Sequence, residues 1–256
     1  LPRFAGDILP ATEIGRIVGI ADKLDNIVAT FSRGLAPTGS QDPYALRRQA
    51  LGVINIIIDA GYHFSMQKTL ATMCQLLNLP NADKTGELIN QIGEFIRQRL
   101  KNMLIDQGIR YDVVDGVLSN AKNDDVADLC KRAAALNEFV TRPEAAELVQ
   151  AATRVNNLCK KAEGETAINT NLFQKDAEKA LYKAVLAVNK EILPLAVAYN
   201  YAGVLAAATK LVGEINKFFE DVMVLDEDVN VKNNRLALLL AVQDITNGVG
   251  GVSCIV

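Results

Sequence analysis

Several side chains in this 256-residue chain are of types that do chemistry. His63 is the single histidine, and a Ser-His-Asp triad, a Cys-His dyad or a two-histidine metal site would each need it beside a specific partner. It sits in a helix-breaking segment, Gly-Tyr-His-Phe-Ser, with no partner near in sequence, and is read as a packing or surface histidine. Asp22 and Asp25 are three residues apart on one expected helix, a spacing that lets two carboxylates bind a metal or share acid and base work. The plainer role is pairing with Lys23, Arg16 or the Arg47-Arg48 dyad, which would fix a helical hairpin. Gly-Val-Gly-Gly at Gly248 to Gly251 lacks the strand, the Lys and the following helix of a phosphate loop. Cys74, Cys130, Cys159 and Cys254 show no Cys-x-x-Cys spacing, which argues against a zinc site and for reduced thiols.

Half of the residues are hydrophobic, 5% are aromatic and none is Trp. The length is enough for one large domain or two small ones with an ample core. A net charge of −3 gives no global attraction for nucleic acid, so any RNA contact must use a local patch of Lys and Arg. No run reaches the ~18 consecutive apolar residues of a membrane span, and no signal peptide is visible. A soluble, cytoplasmic protein is expected. The chain opens at Leu1 without an initiator Met, so a fragment of a longer protein is expected too.

The elements that must position these groups are helices. Ile14, Ile17, Val18, Ala21, Leu24, Val28 and Phe31 recur at three and four residues and predict one inward helical face. Gly34, Pro37 and Gly39 end that helix. Asp42-Pro43 predicts a new helix start, with Leu46, Ala50, Val53, Ile54 and Ile57 as its stripe. Ser65 is placed to cap a third helix that Pro80 ends. Thr85 is placed to cap a longer one with Leu88, Ile92, Phe95, Ile96 and Met103 inward, Arg97, Arg99 and Lys101 outward, and Gly108 at its C-terminal cap. Asp112 is the expected cap of a short helix to Leu118. Helices are also expected after Asn123-Asp124-Asp125, from Pro143 to Lys160, and around Leu181, Val185 and Val188. Ala162 to Asn171 is the expected loop between the last two. A break or bend is expected at Pro194, then an Ala-rich helix from Tyr201 to Gly213 whose small side chains allow close packing in a bundle. The tail from Asn247 to Val256 is expected to fray. No repeat of fixed length emerges.

Three strings carry more than periodicity. Ala-Asp-Lys-Leu-Asp at residues 21–25 is followed by Pro-Thr-Gly-Ser-Gln-Asp-Pro-Tyr-Ala-Leu-Arg-Arg-Gln-Ala-Leu-Gly-Val at residues 37–53. Gly-Ile-Arg-Tyr-Asp-Val-Val-Asp-Gly-Val-Leu stands at residues 108–118, and Lys217 to Leu240 reads KFFEDVMVLDEDVNVKNNRLALLL. Together with the opening Leu1 to Pro10, these closely resemble the beta subunit of bacterial glycyl-tRNA synthetase. Tyr44 replaces the usual Phe. Val231 and Lys232 stand for a Leu-Arg pair, while Asn234, Arg235 and Leu236 match outright. Lys232 keeps the charge but lacks the planar fork that holds phosphate with two bonds.

The resemblance implies an all-α architecture: the end of an HD-like helical domain (1–64), a helical body or linker (65–143) and a C-terminal helical-bundle anticodon-binding domain (144–256). The helix with Asp22 resembles the last helix of HD phosphohydrolases, where a late Asp is a metal ligand, but the histidines that chemistry needs are missing. The implied role is to bind the glycine tRNA and its anticodon. The separate alpha subunit would use ATP and glycine, in an assembly of two alpha and two beta chains. This chain would then carry no catalytic residue, no metal and no cofactor. The implied tRNA-binding residues are Lys217, Lys232, Asn233, Asn234 and Arg235, with Asn156, Lys160 and Lys161 as neighbours. Asn reads base edges, Lys and Arg hold phosphates, and Phe218 or Phe219 would stack on an unpaired base. Two other readings stand beside this one: a helical scaffold for protein interactions, and an HD-type metal phosphohydrolase.

Overall fold

The computed structural model describes residues 1–2, 6–77, 82–119, 123–162 and 167–255, with the backbone alone at 82–84. Among these residues the chain is all α-helical, with two short 3-10 turns, one isolated bridge between Thr38 and Gln41, and no β-strand. It divides into two compact units, residues 1–108 with 121–130, and residues 109–120 with 131–256. No helix among the described residues is long and apolar enough to cross a membrane.

The first unit is built on α1 (Glu13–Ser32), α2 (Leu46–Ala60), α3 (Met66–Leu76) and α4 (Ala82–Asp106). Thr12 starts α1 by accepting the Gly15 N–H at 3.1 Å. The expected stripe of α1 is covered only in its second half. Leu24, Val28 and Phe31 are buried with Ile20 and Ile27, whereas Ile14, Ile17 and Val18 are 75%, 54% and 58% exposed. Periodicity defines a helical face; whether a neighbour covers it is a separate matter. The α2 stripe is buried as expected. The Asp42 carboxylate caps α2 from four residues before it, accepting from Leu46 N–H at 2.8 Å and Arg47 N–H at 3.0 Å. Ser65 caps α3, accepting from Lys68 N–H. Pro80 lies outside the described residues. Thr85 is not the N-cap of α4, because that helix begins at Ala82 and Thr85 lies inside it. Ile92 and Ile96 of α4 are buried, and Phe95 meets Phe31 edge-on at 5.1 Å. Arg97, Arg99 and Lys101 are half-buried rather than a solvated face. Gly108 follows α4 at φ +88°, and its N–H returns to the Ile105 carbonyl.

The second unit holds α5 (Tyr111–Leu118), residues from Lys131 onward of α6 (Val126–Phe139), and α7 (Pro143–Cys159), α8 (Asp176–Val197), α9 (Tyr201–Thr209), α10 (Val212–Asp221) and α11 (Val229–Thr246). Both α7 and α8 pack against α9, α10 and α11. Leu148, Ala152, Val155, Leu181, Val185, Phe218, Leu238 and Val242 fill the space between them. Three local expectations change. Pro194 lies inside α8, which continues to Val197. The Ala-rich stretch is two helices, broken at Lys210-Leu211. Arg110, not Asp112, occupies the N-cap of α5, while Asp112 is buried and held by Arg110 Nε at 3.1 Å and Nη2 at 2.5 Å.

The tail is docked, not frayed. Val249 and Val252 are buried, Gly251 N–H donates to the Gly116 carbonyl at 2.8 Å, and Arg132 donates to the Gly248 carbonyl. Glycine permits the approach: a Cβ on Gly116 would lie 2.8 Å from the Gly251 oxygen, and one on Gly250 would lie 2.9 Å from Val117 Cγ2. The Gly-Val-Gly-Gly string is therefore a packing device against α5.

Candidate functional site

The third string of the sequence centres on the first turns of α11. Asp228 opens the helix, its Oδ1 accepting from Asn230 N–H at 2.8 Å. Arg235 then turns inward. Its Nε donates to Glu178 Oε1 at 3.0 Å, Nη1 to Asp226 Oδ2 at 2.6 Å and the Met223 carbonyl at 2.8 Å, and Nη2 to Gln174 Oε1 at 3.0 Å. Arg235 is 2% exposed and Glu178 is fully buried. The other Glu178 oxygen accepts from Gln174 and Lys175 N–H, both at 2.7 Å, and so caps α8. Asn234 is buried as well: it accepts from Asn169 N–H at 2.7 Å and donates to the Asn169 carbonyl at 3.1 Å.

Two of the five expected RNA contacts are therefore buried. Asn234 and Arg235 have committed their polar atoms inside the unit, tying the segment before α8 and the turn before α11 to α11 itself. The matching Asn-Arg string marks a structural staple. Arg235 pairs with Asp226 and with Glu178, and sequence did not offer Glu178 as a partner. The only hint of Glu178 was an acidic residue three positions into a helix, which is a capping signal. The Asp226 carboxyl is held below the usual carboxylate range, first by the Asp228 N–H and then by Arg235.

Lys232 and Asn233 lie one step outside the staple and are half-exposed. Beside α11 packs the 3-10 turn Thr170–Leu172, whose Thr170 and Asn171 are exposed. Lys217 is exposed on α10, on a helix that also carries Glu214, Glu220 and Asp221. Phe218 is core, with no exposed surface. Phe219 is half-buried and already covered by Arg154, whose guanidinium sits 4.4 Å from the ring centre and donates to Asn216 at 3.0 Å. Arg154 is a cation that the sequence reading missed; only its helical register relative to α10 brings it there. Asn156 is engaged inside the unit, accepting from Gln243 and Asn247 and donating to Ser253. Lys160 and Lys161 are exposed after α7.

In the first unit His63 has the partner that sequence could not show. Its Nδ1 lies 3.0 Å from Asp125 Oδ2, while Ser65 Oγ donates to Asp124 at 2.8 Å. These pairs fasten the turn before α3 to the turn before α6. Asp22 and Asp25 are exposed and form no ion pair among the described residues. The hairpin is fixed instead by Arg16 to Asp59 at 2.7 Å and by the buried Lys23, whose ammonium donates to the Leu1 carbonyl at 2.9 Å. Among the described residues no three His, Cys, Asp or Glu side chains gather as metal ligands would.

Residues 1–119 match the family model described as glycyl-tRNA synthetase beta subunit, and residues 148–249 match the DALR anticodon binding domain. Over the whole chain it is 42% identical to the glycine–tRNA ligase beta subunit of Desulforamulus reducens. It is 43% identical to that of Clostridioides difficile over 95% of the chain, and 40% identical to that of Halalkalibacterium halodurans over 94%. The chain belongs to the glycyl-tRNA synthetase beta-subunit family. It spans between 35% and 37% of the length of these relatives. Within the family's anticodon-binding domain, the staple at Asn234 and Arg235 fixes the connectors on either side of Lys232 and Asn233.

Proposed function

We propose that this chain is the tRNA-holding part of a beta subunit of glycyl-tRNA synthetase, and that its second unit binds the anticodon arm of the glycine tRNA. The observation that carries the reading is the match of residues 148–249 to an anticodon-binding domain, on a helical unit whose connectors are fixed around half-exposed Lys232 and Asn233. Lys232 supplies a point charge for phosphate and Asn233 an amide for a base edge. Lys217, Thr170 and Asn171 extend that polar surface. Catalysis belongs to the alpha subunit, which would bind ATP and glycine, in an assembly of two alpha and two beta chains in the cytoplasm. The beta chain places the tRNA so that its acceptor end reaches that active site.

A salt-dependent titration tests this. The chain is titrated with glycine tRNA, a tRNA of another specificity, and glycine tRNA with an altered anticodon. The expected result is preference for the first, lost in the third and weakened by Lys232→Gln and Asn233→Ala at unchanged melting temperature. Equal binding of all three would mean phosphate contact alone and would end the anticodon reading.

A further inference from the structure

The first unit carries a groove of about 650 Å³ between one face of α2 and one face of α4. Arg47, Arg48 and Asn55 line it from α2, Arg99 and Asn102 from α4, and Gln107 from the turn that follows α4. Arg47 donates to the Gly39 carbonyl at 2.6 Å and Arg99 to the Phe95 carbonyl at 2.9 Å. Among the described residues none of the three arginines forms an ion pair with a carboxylate. Asp42 favours the charged form of Arg99 from a distance, and its two oxygens accept the N–H groups that open α2. One carboxylate, Asp106, lies in the lining, but seven residues along α4 from Arg99, about 10 Å away. Like charges gathered this closely disfavour one another: Arg99 is pushed below the usual arginine range, first by burial and then by Arg47. Three cations gathered on one groove with no carboxylate ion pair among the described residues make a site suited to an anion.

The remaining lining says which kind. Asn55, Asn102 and Gln107 donate and accept hydrogen bonds. Among the described residues no aromatic ring lines the groove, and the nearby Phe95 face is covered by Arg99, 3.9 Å from its centre. A nucleotide pocket needs a slot in which the base stacks, whereas planar guanidiniums and amides along an open groove suit phosphates and ribose hydroxyls. We infer that the α2–α4 groove of the first unit grips the phosphate backbone of an RNA strand, through Arg47, Arg48 and Arg99, as a contact additional to the anticodon-binding unit. The class of partner rests on the tRNA-holding reading; the site itself does not. Its contribution is affinity and orientation, since contacts to phosphate carry no sequence information.

The test compares the wild-type chain with Arg48→Gln, Arg47→Gln/Arg48→Gln and Lys179→Gln, an exposed control on α8. Each is titrated with glycine tRNA and with polyglutamate from 0.05 to 0.3 M salt, and melting is followed by circular dichroism. Removing one cation from a phosphate lowers the slope of log K against log salt by about 0.7–0.9, which at 0.1 M salt is about a five- to eightfold loss of affinity. Arg48→Gln is expected to show that change, the double variant to show it about twice over, and the control to show none. An unchanged slope in the double variant with an intact fold overturns the inference. So does polyglutamate binding as tightly as tRNA with the same response to the variants, which would make the groove a site for acidic protein. If tRNA affinity falls in Lys232→Gln but not in the arginine variants, the groove is refuted and the anticodon-binding unit stands. If the wild-type chain binds no RNA at 0.05 M salt, both are refuted.

Discussion

Replacing Arg235 by Met keeps most of its volume and deletes its charge. Glu178, fully buried, then loses the 3.0 Å bond from Arg235 Nε while its other oxygen still accepts two backbone N–H groups. Removing one partner of a buried ion pair costs about 3–5 kcal/mol, because the remaining charge cannot rehydrate. Asp226 keeps 28% of its side chain exposed and recovers water, so the loss falls on Glu178 and sits near the lower end, about 3 kcal/mol. For a unit of this size that is a drop of about 10 °C in melting temperature. The double variant Arg235→Met/Glu178→Gln removes the stranded charge and should recover half or more of the loss, since a well-packed replacement of a buried pair is often close to neutral. Urea unfolding followed by circular dichroism reads the energies, and hydrogen exchange at the start of α8 and of α11 reads the location. An Arg235→Met chain that melts within about 2 °C of wild type yet binds tRNA weakly would refute the staple and return Arg235 to the RNA-contacting surface.

Gly116→Ala places a Cβ 2.8 Å from the Gly251 backbone oxygen, so it should cost about 1–3 kcal/mol and release the tail to limited proteolysis. Gly93→Ala in α4, where a Cβ meets nothing within 4 Å, should instead stabilise by about 0.5–1 kcal/mol through helix propensity. The Asp226 carboxyl is depressed on folding, so its contribution is present in full above the unfolded carboxylate value, near pH 4, and is lost as the pH falls through the folded value. Urea midpoints between pH 5 and pH 2 should therefore drop less in Asp226→Asn than in wild type, and parallel curves would contradict the assignment. Burial pushes the Cys130 thiol up to about 12 and Cys159 up to about 11, whereas Cys254 is exposed. An alkylating reagent at pH 8 should label Cys254 in the native chain and all four thiols after unfolding, as mass spectrometry would show.

Local signals in the sequence survived where the structure also settles them locally. Asp42 caps α2, Ser65 caps α3, Gly108 turns left-handed after α4, and the α2 stripe is buried, because each depends on neighbours within a few residues. Pro194 and the Ala-rich stretch misled for the opposite reason. A proline near the end of a long helix is tolerated when packing holds the rest, and alanine has no side chain that would mark a break. Which of the candidate contact residues face solvent was not legible. Lys232, Asn233 and Lys217 lie toward solvent, whereas Asn234 and Arg235 lie inside, although all five are polar and four are consecutive.

The sequence by itself determined the helical class, most helix ends and, through literal strings around Asp42, Asp112 and Arg235, the family. Those features depend on backbone preferences and on identity along the chain. Tertiary structure decided the jobs of the polar residues. It found Asp125 for His63, Glu178 for Arg235 and Asn169 for Asn234, across 57 to 65 residues of sequence, and left Arg47, Arg48 and Arg99 without a carboxylate partner among the described residues. A side chain's charge is written in the sequence, but its electrostatic role depends on which opposite charge lies within a few ångströms and on how much water lies between them.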